Sequence, residues 1–312
     1  MAVEPSHPGK VGPPGGARLP NLTEGPILPA LLYLSWPIVI SNLLQTAYNL
    51  ADTLWVGRLG PAAVAALSMS FPIVFFLVSW AAGLTVAGTA LVAQYTGARD
   101  ARGAGLVAAQ TLTLVGSVAI LFSVAGYLLA RPALELMGAG PEVLPLAVPY
   151  LQIIFLGVPF MFGFFIFSAL LRGYGDALTP MKLMMASTVA NIVLDPLLIF
   201  GWLGFPRLGV VGAAWATVIA RGLAALAGLW MLFYGRTGLR LSLTDLYPRW
   251  RVITKIVVVG LPSSIEQSTR ALGMAFMTRI VALFGTATVA AFGIGNRINS
   301  LTFLPAMAVG QA

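Results

Sequence analysis

The sequence predicts an all-α, polytopic membrane protein, in which a six-helix N-lobe is followed by the first two helices of a repeated C-lobe. Three observations support this prediction. Hydrophobic residues make up 58% of the 312 positions and charged residues only 9%, with a mean hydropathy of +0.90, whereas soluble domains carry about 25% charged residues. The charges fall in short intervals between long apolar runs. Finally, part of the first half recurs later in the chain.

Eight apolar segments, each long enough to cross about 30 Å of hydrocarbon, lie between the charged intervals. They cover residues 27–57, 61–97, 104–130, 143–171, 182–204, 208–234, 252–284 and 286–312. Several exceed one bilayer thickness, which predicts tilted or kinked helices. Prolines inside the segments, such as Pro37 and Pro196, favour kinks whose freed backbone groups are satisfied by neighbouring helices and hydroxyl side chains.

These segments divide the chain into four regions. Residues 1–24 are polar and rich in proline and glycine, which predicts a disordered cytoplasmic tail. Residues 25–235 form the six-helix N-lobe, and residues 236–251 a cytoplasmic inter-lobe loop. Residues 252–312 begin the C-lobe with two transmembrane helices and leave it incomplete.

The distribution of lysine and arginine predicts the orientation. With the N-terminus inside, eleven of these residues outside the spans fall on the cytoplasmic side and three on the opposite side. Positive residues are concentrated in cytoplasmic loops, so we expect a multi-pass protein of the plasma membrane with a cytoplasmic N-terminus. Because the basic residues behind the net charge of +8 lie between apolar spans, nucleic acid is not expected as a partner.

An internal repeat emerges when the chain is shifted by 225 residues without gaps. Pro37 then meets Pro262 and Gly60 meets Gly285, and four of the residues that follow each glycine also match. Six spans separate the copies, so both enter the membrane from the same side, as in transporters built from two parallel halves. A complete second half would extend the chain to about 450 residues. We therefore expect a C-terminal truncation, with a genuine eight-helix protein as the alternative.

The composition excludes most catalytic chemistry. The chain has no cysteine, and its one histidine, His7, lies in the tail, which excludes a thiolate nucleophile, a thiolate metal site and a histidine-based active site. No phosphate-binding lysine follows a glycine-rich loop, and no nucleophile elbow occurs. We expect neither an enzyme nor a cofactor, and any transport would be driven by an ion gradient or a partner.

Three acidic residues lie at membrane depth: Asp52, Asp195 and Glu266. A carboxylate near the bilayer centre costs at least about 2.5 kcal/mol on insertion scales, so such residues usually line a hydrated cavity or exchange protons. Steps of three and four residues place Ser41, Gln45 and Tyr48 on one helix face with Asp52, and Met184, Ser187 and Asn191 on one face with Asp195. Two such stripes predict a shared hydrated pocket in the first half.

Both aspartates also have a structural interpretation. Asp52 could sit at a helix end near the headgroups, where Arg58 follows it. Asp195 could cap a helix break before Pro196. In either case the polar neighbours would serve helix packing rather than a pocket.

The acid of the second copy has two equal interpretations. Glu266 precedes Arg270 by four residues, a spacing suited to an ion pair, so structural pairing and a functional carboxylate both remain open. Arg221, Arg279 and Arg297 lie near span interiors and are interpreted as snorkelling or paired residues.

Four stretches at corresponding spacing resemble one known family. They are WPIVISNLLQTAYNLADTLWVGRLG in the first span, ALVAQYTGARD after the second, LRGYGDALTP after the fourth and NIVLDPLLIFG in the fifth. The chain from about residue 27 to 312 is similar to the multidrug and toxic compound extrusion (MATE) family, and most of all to its DNA-damage-inducible protein F-like branch. The resemblance implies a twelve-helix antiporter that exports cationic or amphipathic drugs and metabolites in exchange for protons or sodium ions.

The resemblance also implies roles for residues. Asp52 and Asp195 match the N-lobe carboxylates that couple transport to a proton, or to a sodium ion held together with Asn191. Pro37 falls where the first helix of the family bends when the acid changes charge. The positions that match the substrate cavity are Gln45, Tyr48, Tyr150, Met184, Asn191 and Thr217.

The chain departs from the family pattern at two positions. Ser168 stands where relatives often have Asn. Glu266 lies four residues closer to its proline than the carboxylate of the other main branch. The roles of Glu266 and Arg270 in the C-lobe therefore stay open.

The mechanism that the resemblance implies is alternating access. Neutralising Asp52 and Asp195 would remove their repulsion and hydration, collapse the cavity and expel a small organic cation, and deprotonation would restore an anionic cavity. We expect a monomer in the lipid bilayer.

Two other functions stay open. One is a flippase or exporter of lipid-linked precursors, for which Arg221 and Arg270 would supply basic groups, and the other is a non-transporting, truncated remnant.

Overall fold

The structure, a computed structural model, describes residues 27–235 and 237–311, and the predicted tail at 1–24 lies outside them. The helices are α1 (Ile27–Gly57), α2 (Pro61–Gly97), α3 (Ala101–Leu136), α4 (Leu144–Tyr174), α5 (Leu178–Phe200), α6 (Val210–Tyr234), α7 (Trp250–Ala282) and α8 (Thr286–Gln311). Two short 3-10 segments cover Trp202–Gly204 and Leu243–Leu246. The predicted all-α fold is confirmed.

The helix ends follow the apolar segments, with two informative differences. α3 is longer than the predicted 104–130, because Asp100 caps its first turn and its charged ends continue the helix beyond the apolar run. α5 begins at Leu178 rather than at 182. There the carboxylate of Asp176 accepts hydrogen bonds from the backbone N–H groups of Leu178 and Thr179, both at 3.0 Å. This cap satisfies the first turn of α5.

Five of the described helices, α2 to α6, are long and apolar enough to cross a membrane by length and composition alone. The sequence predicts spans at α1, α7 and α8 as well. α1, α7 and α8 have 31, 33 and 26 residues, which is also long enough to cross a bilayer. In α1 the polar side chains share a face that the lobe encloses. The chain is thus a multi-pass membrane protein.

Helices α1 to α6 pack into one lobe around α4. α4 contacts α2, α3 and α6, and α5 connects α1 to α6. Phe155, Phe162 and Phe167, among the largest fully buried side chains, all lie on α4, so α4 supplies the centre of the hydrophobic core. By contrast, α3 leaves Leu121 and Leu128 exposed on its outer face, where lipid supplies the burial.

Proline interrupts several helices without ending them. Pro37, Pro72, Pro159, Pro196 and Pro262 all lie inside helices. The hydroxyl of Ser41 donates a hydrogen bond of 2.7 Å to the backbone carbonyl of Pro37, a type of bond that often accompanies a bend in a helix. Prolines are tolerated here because hydroxyl groups and neighbouring helices satisfy the backbone.

The internal repeat extends to the helix boundaries. α1 ends at Gly57 and α7 at Ala282, and α2 begins at Pro61 and α8 at Thr286, each pair separated by the same shift of 225 residues. The connecting glycines, Gly60 and Gly285, have φ angles of 112° and 98°. Only glycine adopts such angles readily. The repeated glycine is therefore required by the tight turn between the two helices of each copy.

The second copy packs directly on the lobe. α7 lies against α2, and α8 lies against α1 and α2. The seam between α2 and α7 is built from small residues, with Gly83 facing the backbone of Ser264 and Gly260 facing the backbone at Gly83. The hydroxyl of Ser264 donates a hydrogen bond of 3.2 Å to the carbonyl of Trp80. Such small residues let membrane helices approach closely.

One fully buried side chain of α3 holds the segment between α6 and α7. The amide nitrogen of Gln110 donates hydrogen bonds to the carbonyls of Asp245 at 2.5 Å and Tyr247 at 2.8 Å. Its amide oxygen accepts a bond of 2.7 Å from the backbone N–H of Arg249. Gln110 thus supplies hydrogen-bond partners to backbone groups that lie outside the regular helices and would otherwise have none.

Substituting Gln110 with Ala is expected to loosen this segment. Three backbone bonds are lost, each worth about 1 kcal/mol, so we expect a lower thermal midpoint and faster tryptic cleavage after Arg249. Time-resolved proteolysis with mass spectrometry measures the cleavage. Gln94→Ala, at an exposed position near the end of α2, is the matched control. Equal cleavage rates in the two variants would contradict the role of Gln110.

Candidate functional site

A cavity of about 390 Å³ lies between α1, α2, α4, α5 and α6, and we call it the central cavity. α1 contributes polar side chains to its wall. α2 and α4 contribute aromatic side chains, including Phe71, Phe75 and Phe164. The site therefore combines apolar surface with a few polar groups, as ligand pockets usually do.

The polar stripe of α1 faces this cavity along its length. Ser41, Gln45, Tyr48 and Asp52 all line the wall. Of the other predicted cavity residues, Tyr150, Met184 and Thr217 line it too, as does Ser168. Asn191 is fully buried and does not line the wall, although Met184 on the same face of α5 does.

Asp52 lies inside α1 rather than at its end. Its side chain is 7% exposed and forms part of the cavity wall, and the helix continues to Gly57. Arg58 instead stacks over the ring of Trp55, with 4.7 Å between its Cζ and the ring centroid. Asp52 therefore faces the enclosed cavity together with the other polar residues of its stripe.

Asp195 is fully buried on α5, close to the same cavity but not on its wall. The amide of Asn191 donates a hydrogen bond of 3.1 Å to its Oδ1. Asp195 is near enough to Asp52 for their charges to interact, and Tyr48 lies within the electrostatic range of both. Since α5 continues through Pro196 to Phe200, Asp195 does not cap a helix break.

Arg221 on α6 lines the cavity and contacts residues of three other helices. One guanidinium nitrogen donates to Oε1 of Gln45 at 2.5 Å and another to Sδ of Met184 at 3.3 Å. Its Cζ lies 4.6 Å from the ring centroid of Tyr48 and 5.8 Å from that of Phe164. The side chain is 4% exposed. Snorkelling is therefore the wrong interpretation of Arg221.

A second arginine lines the cavity. The sequence places Arg172 among the loop residues after the fourth span, but it lies in the last turn of α4 with its side chain on the cavity wall. A sequence signal for Arg221 existed, because it follows the predicted cavity residue Thr217 by four positions and so shares its helix face. The same spacing relates Arg172 to Ser168, another position that the family resemblance singles out.

The remaining predicted site residues lie away from the central cavity. Pro37 is buried in α1 and does not line the wall. Glu266 and Arg270 form an ion pair of 2.9 Å on α7 with both side chains about two thirds exposed, at 66% and 64%. Arg279 is also exposed, and the side chain of Arg297 lies outside the described residues.

The charges of the site are of both signs. Asp52 lines the cavity together with Arg172 and Arg221, and Asp195 is buried nearby. The expectation of a simply anionic cavity is thus wrong, because α4 and α6 each contribute an arginine. In this part of the chain, ionised aspartates would balance the two arginines, and neutral aspartates would leave a positive cavity.

A six-helix lobe with a polar cavity at membrane depth, followed by a second copy of its first two helices, defines an α-helical membrane transporter. Residues 37–197 match the MatE family. The chain is 33% identical over 293 residues to the Bacillus subtilis protein named "Probable multidrug resistance protein YpnP", covering 94% of this chain and 64% of that protein. The chain belongs to the multidrug and toxic compound extrusion (MATE) family, and it spans less than two thirds of the length of this relative.

Solved structures agree with this assignment. The MATE multidrug transporter DinF-BH, solved as a complex, superposes with a TM-score of 0.87 at 31% identity, over 95% of this chain and 66% of that one. A transporter from Pyrococcus furiosus, described as having a binding pocket of reversed polarity, superposes with a TM-score of 0.83 at 31% identity, over 95% and 65%. Other MATE structures are described as inward-facing and outward-facing, with TM-scores of 0.78 and 0.80.

Proposed function

We propose that this chain is part of a cation-coupled antiporter that exports cationic or amphipathic organic compounds by alternating access, with Asp52 and Asp195 as its coupling carboxylates. The observation that supports this most is the proximity of the two acids, of which Asp52 lines the cavity from α1 and Asp195 is buried close to it on α5. Carboxylates at membrane depth are costly unless they serve an ion or substrate pathway. Inward-facing and outward-facing members of the family support the alternating-access part.

Ion binding would switch the charge of the cavity. With Asp52 and Asp195 ionised, their charges balance those of Arg172 and Arg221. With both neutralised by protons or screened by sodium, the positive charges dominate, and a cationic group is repelled. The arginines therefore strengthen the release step, and the carboxylates allow loading.

The coupling ion is a proton or a sodium ion in this proposal. A proton needs only the two carboxylates. A sodium ion needs several oxygen ligands, which Asp52, Asp195 and Asn191 would supply, and the hydrogen bond from Asn191 already orients Asp195. Pro37 is the proposed hinge of α1, where Ser41 bonds its carbonyl.

We propose a monomer in the plasma membrane with a cytoplasmic N-terminus. The excess of lysine and arginine on one side supports this orientation. At the opposite end of α1, Trp55 packs edge-on against Phe200 and Trp202, with centroids 6.1 Å apart in both pairs. Aromatic clusters of this kind are typical of a membrane interface.

Dye flux in lipid vesicles tests the antiport. The longest product of the reading frame that contains this chain is reconstituted, and the movement of a cationic rhodamine ester is followed under an imposed proton gradient, a sodium gradient or neither. We expect flux against the dye gradient with one ion gradient only, and its collapse when an ionophore dissipates that gradient. Equal flux under all three conditions would contradict ion coupling.

A flippase or exporter of lipid-linked precursors is the second candidate. The presence of Arg172 and Arg221 on the cavity wall favours it, since such lipids carry anionic phosphates. The same vesicles, loaded with a fluorescent lipid that bears a diphosphate, distinguish the two functions. Flipping of the lipid without dye flux would support the second candidate, and neither activity would support a non-transporting protein.

A further inference from the structure

The guanidinium of Arg221 is buried in the central cavity with part of its hydrogen-bonding capacity unused. Guanidinium nitrogens act only as donors, and the two contacts already described use a neutral amide oxygen of Gln45 and the weakly accepting sulfur of Met184. The buried Nε has no hydrogen-bond acceptor among the described residues. Within the same ranges, the guanidinium forms no ion pair with a carboxylate.

The neighbours of Arg221 orient its charge without neutralising it. Tyr48 and Phe164 pack against the guanidinium, and stacking of this kind leaves the N–H edges available for hydrogen bonds. Gln45 is itself held by a hydrogen bond of 3.2 Å from its amide nitrogen to Oδ1 of Asn49. A buried, oriented guanidinium with an open donor is well suited to an anionic group, which it binds more strongly than a neutral one.

A negative group lies within reach of the same ligand. Tyr48 and Asp52 are four residues apart on α1, about 6 Å along the helix axis, and both line the cavity. Phe71 and Phe75 stack at 5.9 Å on another part of the wall. The cavity thus presents a guanidinium, a carboxylate and an aromatic surface to one molecule.

We infer that Arg221 is a substrate-specificity residue that binds an anionic group of the substrate, and that the preferred substrates are amphipathic aromatic zwitterions. Their carboxylate or other anionic group contacts Arg221, and their cationic group lies near Asp52. This inference rests on the proposed function, because it concerns the same cavity. It narrows the substrate class from cations in general to molecules that carry both charges.

A matched pair of dyes tests the inference. The cationic rhodamine is used as its ethyl ester and as the corresponding free acid, which is a zwitterion with the same aromatic core. Binding of both to the purified chain in detergent is measured by fluorescence anisotropy. We expect the free acid to bind about tenfold more tightly than the ester, because only the acid offers a carboxylate to the guanidinium.

Arg221→Gln is expected to weaken binding of the free acid about tenfold and to tighten binding of the cationic ester, because a positive charge is removed from the cavity. Arg207→Gln removes the same charge from an exposed position outside the cavity. This variant should prefer the free acid over the ester as strongly as the unmodified chain does. Arg221→Lys retains the charge but lacks the planar fork, and we expect a reduced preference. It provides the comparison if Arg221→Gln does not fold, which circular dichroism reports.

The outcomes separate this inference from the proposed function. Equal affinity for the two dyes, or a preference that survives both substitutions of Arg221, would overturn the inference. If the ester alone binds and still moves under an ion gradient, the inference fails and the antiport stands. If neither dye binds and neither moves, both fail.

Discussion

Replacing Asp52 with Asn is expected to abolish ion-driven dye flux while the lobe stays folded. The carboxamide has nearly the same shape, but it cannot take up or release a proton and carries no charge for a sodium ion. We expect initial rates to fall by more than about tenfold, because in the proposed cycle a charge change at this position drives transport. Flux is measured in vesicles under the gradient that drives the unmodified protein.

Related substitutions make this result specific to the cavity. Asp195→Asn should lower flux in the same direction, and Asp52→Glu should retain part of it because the charge is kept. Glu135→Gln is the control, since Glu135 is an exposed carboxylate that pairs with Arg131 at 2.8 Å on α3. Undiminished flux in Asp52→Asn would rule out the proposed coupling role.

Replacing Gly83 with Val is expected to separate α7 from α2 and to produce a large loss of stability. A Cβ at this position would overlap the backbone nitrogen of Ser264, and backbone cannot move aside as a flexible side chain can. Overpacking of this kind costs about 1 to 3 kcal/mol. The hydrogen bond from Ser264 to Trp80 would be strained as well. The measurement is the thermal unfolding midpoint in detergent.

A glycine in open space provides the control for this prediction. A Cβ at Gly116 on α3 would meet no heavy atom within 4 Å, so Gly116→Val should leave the midpoint nearly unchanged. Tryptic cleavage between α6 and α7 should accelerate in Gly83→Val only, because displacement of α7 would also displace the segment that connects it to α6. Similar midpoints for the two variants would show that the seam tolerates a side chain.

The mixed charge of the cavity changes how its residues are interpreted. Two acids alone would favour any cation, and their neutralisation would merely remove an attraction. With Arg172 and Arg221 present, neutralisation produces repulsion, because like charges in a site of low dielectric constant interact strongly. The same arginines are the groups through which an anionic substituent would be recognised.

Much of the fold could be predicted from local properties of the chain. Apolar length predicted the ends of α1 and α2, and the repeat predicted that Gly60 and Gly285 occupy equivalent positions. Helical spacing predicted that Gln45 and Tyr48 share a face with Asp52. These predictions succeed because hydropathy, glycine conformation and the period of the helix depend on neighbours in sequence.

The order of residues alone was enough to establish that this chain crosses the membrane repeatedly, that its first two helices recur, and that Asp52 and Asp195 are exceptional charges. The packed helices were needed to show that Arg221 and Arg172 share their cavity and that Asn191 does not line its wall. Which face of a helix meets which neighbour depends on the rotation and tilt of several packed helices at once. In a lipid bilayer the rotation and tilt of each helix are set by close packing against its neighbours rather than by local hydropathy.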